Sequence, residues 1–189
     1  MTLSITKSVI ILDASCLINL YATNHMAEIL QSIPQSITVA AYVFNKEALW
    51  IKEYIGEEWA KKDIQLQPLV DTGLLTLVTL LGETESNLHV LLSSKIRDEG
   101  ESRTGAIAIN RDWAVTLDDR KARRVISETN SHIELIYSLE LVKHWVETEK
   151  INSSTLKDVL EAIRGGATYL PRKANPLYQW WIDHGGPAQ

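Results

Sequence analysis

Short apolar runs alternate with amphipathic stretches along the chain, and most runs end on a polar or turn-forming residue. Residues 8–12, SVIIL, are β-branched and apolar on both sides, which predicts a strand buried on both faces of a parallel sheet. Asp13 ends that run, and Ser15 opens a helix reading SCLINLYATN. A second helical piece, HMAEILQSI, stops at Pro34, and residues 36–43, SITVAAYV, predict the second strand. Asn45 is placed to cap a long helix, KEALWIKEYIGEEWAKK, whose Leu49, Ile51, Ile55 and Trp59 roughly suit one face. Residues 74–80, LLTLVTL, read as a strand, although a buried helix of that length has the same pattern. Helices follow at TESNLHVLLSSKI and, entered through Gly100, at GESRTGAIAIN. WAVTL predicts a strand that ends at Asp118 and Asp119. After it come the helix DRKARRVISE, the strand HIELI, and two amphipathic helices, SLELVKHWVETEK and STLKDVLEAIRGG. Gly165-Gly166 reads as the stop signal of the last.

Strands alternating with helices predict a three-layer α/β/α fold around a mainly parallel sheet of about five strands. Ligands in such sheets bind beyond the C-terminal ends of the strands. Residues 1–150 form the expected domain. Residues 151–189 form a helical and aromatic extension, with Tyr178, Trp180 and Trp181, expected to pack on the domain or on a partner.

Composition narrows the picture. The chain has 189 residues, 45% hydrophobic and 23% charged, which fits a folded globular domain and not a disordered one. The net charge of -5 lacks the basic signature of a typical duplex-DNA binder, so any nucleic-acid contact needs a local basic patch or metal ions. The single cysteine, Cys16, cannot form an internal disulfide, and a reducing, cytoplasmic setting is the default expectation. It reads as a small buried hydrophobe. No apolar run reaches the roughly 18 residues of a membrane helix. The N-terminal run, ended by Asp13, reads as a strand and not as a signal peptide.

The candidate chemistry is acidic. Asp13 and the pair Asp118 and Asp119 fall at the C-terminal edge of the predicted sheet. Glu47 falls in the first turn of the helix predicted after the second strand, and Glu101 at the start of its own helix. Singly, each has a structural explanation: aspartate caps helices, and glutamate suits a first turn. Together at one edge they would repel one another, and a hard divalent cation removes that repulsion. Oxygen ligands suit magnesium or manganese rather than zinc, and the histidines at 25, 89, 132, 144 and 184 show no zinc spacing.

Four segments in order resemble the PIN domain family. ILDASCLINLY resembles its opening motif, and VAAYVFNKEAL the strand and helix start that bears a glutamate. DEGESRTGAIAIN resembles the Gly-Glu helix of one branch, and WAVTLDDRKARRVISE the strand, aspartate pair and basic helix. The resemblance implies catalytic roles for Asp13, Glu47, Glu101 and Asp118, with metal held by Asp13, Glu101 and Asp118 or Asp119, both of the pair being eligible. Ser15 matches a hydroxyl that orients the first aspartate or a metal-bound water. The implied activity is magnesium- or manganese-dependent cleavage of RNA. Many members are toxins paired with an antitoxin, and many are dimers. Metal-holding carboxylates need no raised pKa, and Glu101 at a helix N-terminus is expected to ionise easily.

Substrate phosphates want positive charge, for which Arg103, Arg120 and Arg123 are the candidates, with Lys121 and Arg124 beside them. The acidic net charge and the length beyond residue 150 favour a second reading, a catalytically weak PIN-like binding module that acts through a protein partner. A haloacid-dehalogenase-like phosphatase would want an aspartate where Ser15 stands, and no Gly-rich GK[ST] loop occurs.

Overall fold

The computed structural model describes residues 5–55 and 58–188. Five parallel strands form the main sheet: β1 (Val9–Leu12), β2 (Ser36–Ala40), β5 (Thr76–Val78), β6 (Ala114–Thr116) and β7 (Leu135–Ile136). Their spatial order is β5-β2-β1-β6-β7. β1 lies at the centre, with Ile10 opposite Ile37 on one side and Ala114 on the other. A central strand is covered on both faces, and Ile10, Ile11 and Leu12 are all fully buried.

Helices cover both faces. One layer holds α1 (Ala14–Ala22), α2 (Met26–Ser32), α8 (Ser138–Thr148) and α9 (Ser153–Gly166). The other holds α5 (Gly82–Ile96), α6 (Glu99–Arg111) and α7 (Arg120–Thr129). Crossovers through helices are what parallel strands require, and they leave the strand C-termini at one edge. The fold is therefore the expected three-layer α/β/α arrangement.

The stretch after the second strand differs from expectation. β2 ends at Ala40, and a short helix, α3 (Ala41–Lys46), begins at once. Asn45 lies inside α3 and donates to the Ala41 carbonyl at 2.6 Å, so it caps nothing downstream. Glu47 is the C-cap of α3, not a first-turn residue. The predicted long helix is instead an antiparallel hairpin, β3 (Trp50–Ile55) and β4 (Glu58–Asp63), with residues 56–57 of that helix outside the described residues. Period two wins over period 3.6: Ile51 is buried while Trp50, Lys52 and Tyr54 are exposed. The sequence pattern also held no sign of α4 (Gln67–Asp71).

α9 runs through Gly166 and is capped by Ala167, so the glycine pair closes the last turn from inside. A Cβ at Gly166 would stand 3.1 Å from the Lys52 carbonyl oxygen and 3.3 Å from Ala22 Cβ, which lets the hairpin lie close against α1 and α9. Beyond it, α10 (Tyr178–Asp183) places Trp181 in the core, where its indole N–H donates to the Pro187 carbonyl at 2.9 Å. Leu156, Val159, Leu160 and Ile163 of α9 join the same core. A buried ion pair fastens α5 to α6: Arg111 Nε donates to Glu85 Oε1 at 2.7 Å, and Glu85 is 1% exposed. Among the described residues, no helix is long and apolar enough to cross a membrane.

Candidate metal and nuclease site

Parallel topology delivers Asp13 to the end of β1. It is buried, and its side chain caps α1: Ser15 donates to Oδ2 from its backbone N–H at 3.3 Å and its hydroxyl at 2.8 Å. The Asp13 backbone N–H is held by Thr116 Oγ1 of β6 at 3.1 Å. Capping therefore uses one carboxylate oxygen only. The other, Oδ1, is buried and has no hydrogen-bond partner among the described residues, which is costly for a carboxylate that meets nothing positive.

Glu47 approaches from α3. Its carboxyl lies directly on Gly100 at the start of α6, where an added Cβ would stand 1.8 Å from Oε2. Only a residue without a side chain leaves that cradle open. At the C-terminal end of α3 the helix dipole does not favour an anion, so the dipole argument for Glu47 disappears.

Glu101 stands in the first turn of α6, whose N-cap is Asp98. Asp98 Oδ1 accepts from the Glu101 backbone N–H at 2.9 Å. Asp98 escaped the sequence reading, although Asp-x-x-Glu over 98–101 is a helix-entry signature.

These acids act on one another. Burial raises Asp13 to about 6, with Asp98 adding repulsion. Burial, then Asp98 and Asp13, raise Glu47 to about 7. Burial raises Glu101 to about 8, with Asp13, Asp98, Asp119 and Glu47 adding to it. The expectation that Glu101 ionises easily is thus overturned: desolvation and four neighbouring acids outweigh the helix dipole.

The aspartate pair divides its work. Asp118 is locked to the protein: Asn19 Nδ2 donates to Oδ2 at 3.0 Å, and the Ser138 backbone N–H and the Tyr169 hydroxyl donate to Oδ1 at 3.2 and 3.4 Å. Asp119 is exposed and caps α7 through Lys121 and Ala122 N–H groups at 2.7 and 2.9 Å. Of the two, Asp119 is the one whose charge raises Glu101.

The predicted substrate-side cations spread out. Arg103 pairs with Glu99 at 2.6 Å and lies over the Tyr42 ring. Arg123 stacks on Tyr137 at 3.5 Å and donates to the Leu117 and Leu135 carbonyls at 2.8 and 3.3 Å, which ties two of its nitrogens to the sheet edge. Lys121 donates to the Ile96 carbonyl, and Arg124 lies near Glu128 on the surface. Arg120 lines a cavity of about 400 Å³ with Asp118, Asp119, Tyr137, Tyr169 and Arg172. Cys16 is buried, and its thiol is pushed up by burial.

The donor set suits a hard cation: all oxygen, mutually repelling, with one orphaned buried oxygen and a cradle holding Glu47 in place. The side chains converge without closing, since among the described residues no three acidic, histidine or cysteine side chains stand close enough to hold a metal ion.

The repulsion has a measurable sign. Asp13, Glu47 and Glu101 protonate more readily folded than unfolded, so their contribution to stability is complete below about pH 4 and is lost as pH rises through about 6 to 8. In EDTA, Tm is expected to fall between about pH 5 and 8.5, and Glu101→Gln to flatten the fall. A Tm that climbs over that interval contradicts this electrostatic account.

The fold and this acidic edge define a class of protein, and a family model, DUF3368, a PIN domain, matches residues 9–176. The chain belongs to the PIN domain family. PIN domains are generally nucleases and generally use divalent metal ions. No curated protein matches the chain.

Proposed function

We propose that this chain is a divalent-metal-dependent endoribonuclease that uses Mg2+ or Mn2+. The observation that carries the reading is the buried, unpartnered Asp13 Oδ1 among acids that raise one another's pKa. Asp13, Glu101 and the Asp118/Asp119 pair would hold the ion, with Glu47 and Asp98 completing the acidic wall. A bound ion supplies charge stabilisation for phosphodiester hydrolysis and eases deprotonation of the attacking water.

The chain's own residues prepare that site. Ser15 fixes Asp13 through Oδ2 and leaves Oδ1 for the ion. Tyr169, Asn19 and Ser138 hold Asp118 at the C-terminal edge of β6. Arg120 and Arg172 supply positive charge beside the aspartates for substrate phosphates.

The test is direct. Purified chain with Mg2+ or Mn2+ is expected to cut single-stranded RNA internally, and EDTA to stop it. The same ions should raise Tm, and by more near pH 8 than near pH 5, because ionised carboxylates bind them best. No cleavage of any RNA with either ion would end the proposal. The second reading, a catalytically weak module acting through a protein partner, draws on the unclosed ligand set; a Tm indifferent to both ions would favour it. The toxin role, an antitoxin partner and a homodimer belong to the same proposal, and the exposed Val90 and Leu91, adjacent on α5, offer apolar surface for the last two.

A further inference from the structure

The acidic site accounts for one end of a longer feature. The cavity beside Asp118 and Asp119 shares Thr168 with a second cavity of about 440 Å³, which is lined also by Lys52, Arg164 and Gly165. Lys52 and Gly165 in turn border the recess between the β3–β4 hairpin and α9. The cations along this line are Arg120, Arg172, Arg164 and Lys52, and among the described residues none of them forms an ion pair. Glu53 and Glu161 border the same recess, but each is paired with another lysine, Lys62 at 2.7 Å and Lys157 at 3.8 Å, so in a chain of net charge -5 these four cations, without an ion pair among the described residues, form a row that starts at the carboxylates.

At its far end the hairpin adds aromatic surface. Trp50, Lys52 and Tyr54 alternate along β3 and so share a face. Trp50 is 40% and Tyr54 58% exposed, and Lys61 of β4 sits over the Trp50 ring at 4.3 Å. Cations that track a backbone, joined to exposed rings, are what a single strand recognises, because its bases are free to stack. A duplex hides its base faces and has no use for the rings.

We propose that single-stranded RNA runs from the acidic site along this line, over the end of α9 and onto the exposed face of the hairpin, its phosphates meeting Arg120, Arg172, Arg164 and Lys52. The direction of use rests on the nuclease reading, but binding does not. The segment after α9 and the hairpin together set the length of strand engaged.

The experiment measures fluorescence anisotropy of a fluorescein-labelled single-stranded RNA of about 12 nucleotides in EDTA, across a range of salt. The triple variant Lys52→Ala, Arg164→Ala, Arg172→Ala is expected to bind at least about tenfold more weakly, with a salt slope shallower by about 0.7 for each phosphate no longer neutralised. Arg172→Ala, at an exposed position, gives a smaller loss in the same direction if the triple variant does not fold. Arg124→Ala, off the line, should bind as the parent does. Parent-like affinity and slope in the variants overturn the proposal, as does equal affinity for duplex RNA of the same sequence. A parent chain that binds RNA through these residues but never cuts it sinks the nuclease reading and leaves the track standing. Metal-stimulated cutting with unaltered binding by the variants does the reverse.

Discussion

Asparagine at position 13 is expected to cost more than about a hundredfold in metal-stimulated RNA cleavage, since outer partners of metal ligands alone are worth about 10–100-fold. The same substitution should raise Tm in EDTA near pH 8. The asparagine carbonyl can keep both Ser15 hydrogen bonds, so the cap on α1 survives. What disappears is a buried negative charge, which is the foremost charged neighbour raising Glu101 and also raises Glu47. The variant therefore relieves three desolvated groups at once, which should outweigh the cost of about 1–3 kcal/mol for the amide nitrogen left buried in place of Oδ1. Activity and stability move in opposite directions, as expected where a site is held in an electrostatically unfavourable state for its task. Parent-like cleavage would remove Asp13 from the ligand set. A lower Tm in EDTA would instead make the carboxylate a net stabiliser and refute the account of its burial.

Arg111→Ala is the change expected to damage the fold most. Burial alone would push Glu85 up, yet it is held below the usual range by Arg111, the Leu81 N–H and Asn110. Arg111 Nε and Nη2 donate to its two oxygens at 2.7 and 3.0 Å, and Nη2 also reaches the Thr79 carbonyl at 2.7 Å beyond the end of β5. Removing the guanidinium strands a charge that is 1% exposed. Breaking such a pair costs about 3–5 kcal/mol. For a chain of this size that lowers Tm by roughly 6–20 °C. The double replacement Arg111→Met, Glu85→Leu should recover most of the loss, since a well-packed apolar pair of similar volume is often as stable. Urea denaturation of the three chains decides it: a loss under about 1 kcal/mol for Arg111→Ala would mean that Glu85 is satisfied without it.

Much of the sheet was legible because buried parallel strands announce themselves as two-sided apolar runs. Residues 8–12 and 113–117 each yielded a strand within a residue or two of the observed one. The same runs located Asp13 and the aspartate pair at the C-terminal edge, since a strand's last residue is fixed once its direction is known. The hairpin was misread for an equally physical reason. Its Lys, Glu and Ala residues favour helix locally, and only packing against α1 and α9 makes an alternating pattern with Ile51 inward the better solution. Glu47 went with it, from the start of one helix to the end of another. Pairings distant in sequence left no local trace: Arg111 lies 26 residues from Glu85, and Tyr169 lies 51 from Asp118. Nor can spacing tell which of two adjacent aspartates turns inward to Asn19 and which faces the open edge.

The Glu47–Gly100 contact ties two distant stretches of chain into a single inheritance. No side chain fits at position 100 while the Glu47 carboxyl keeps its seat, because even a methyl group would overlap it. Drift at either residue is then answerable to the other: a bulkier residue at 100 expels the acid, and a shorter one at 47 frees the glycine to vary. A descendant that gains a side chain at position 100 should therefore hold its residue 47 in another position, or carry a shorter one there.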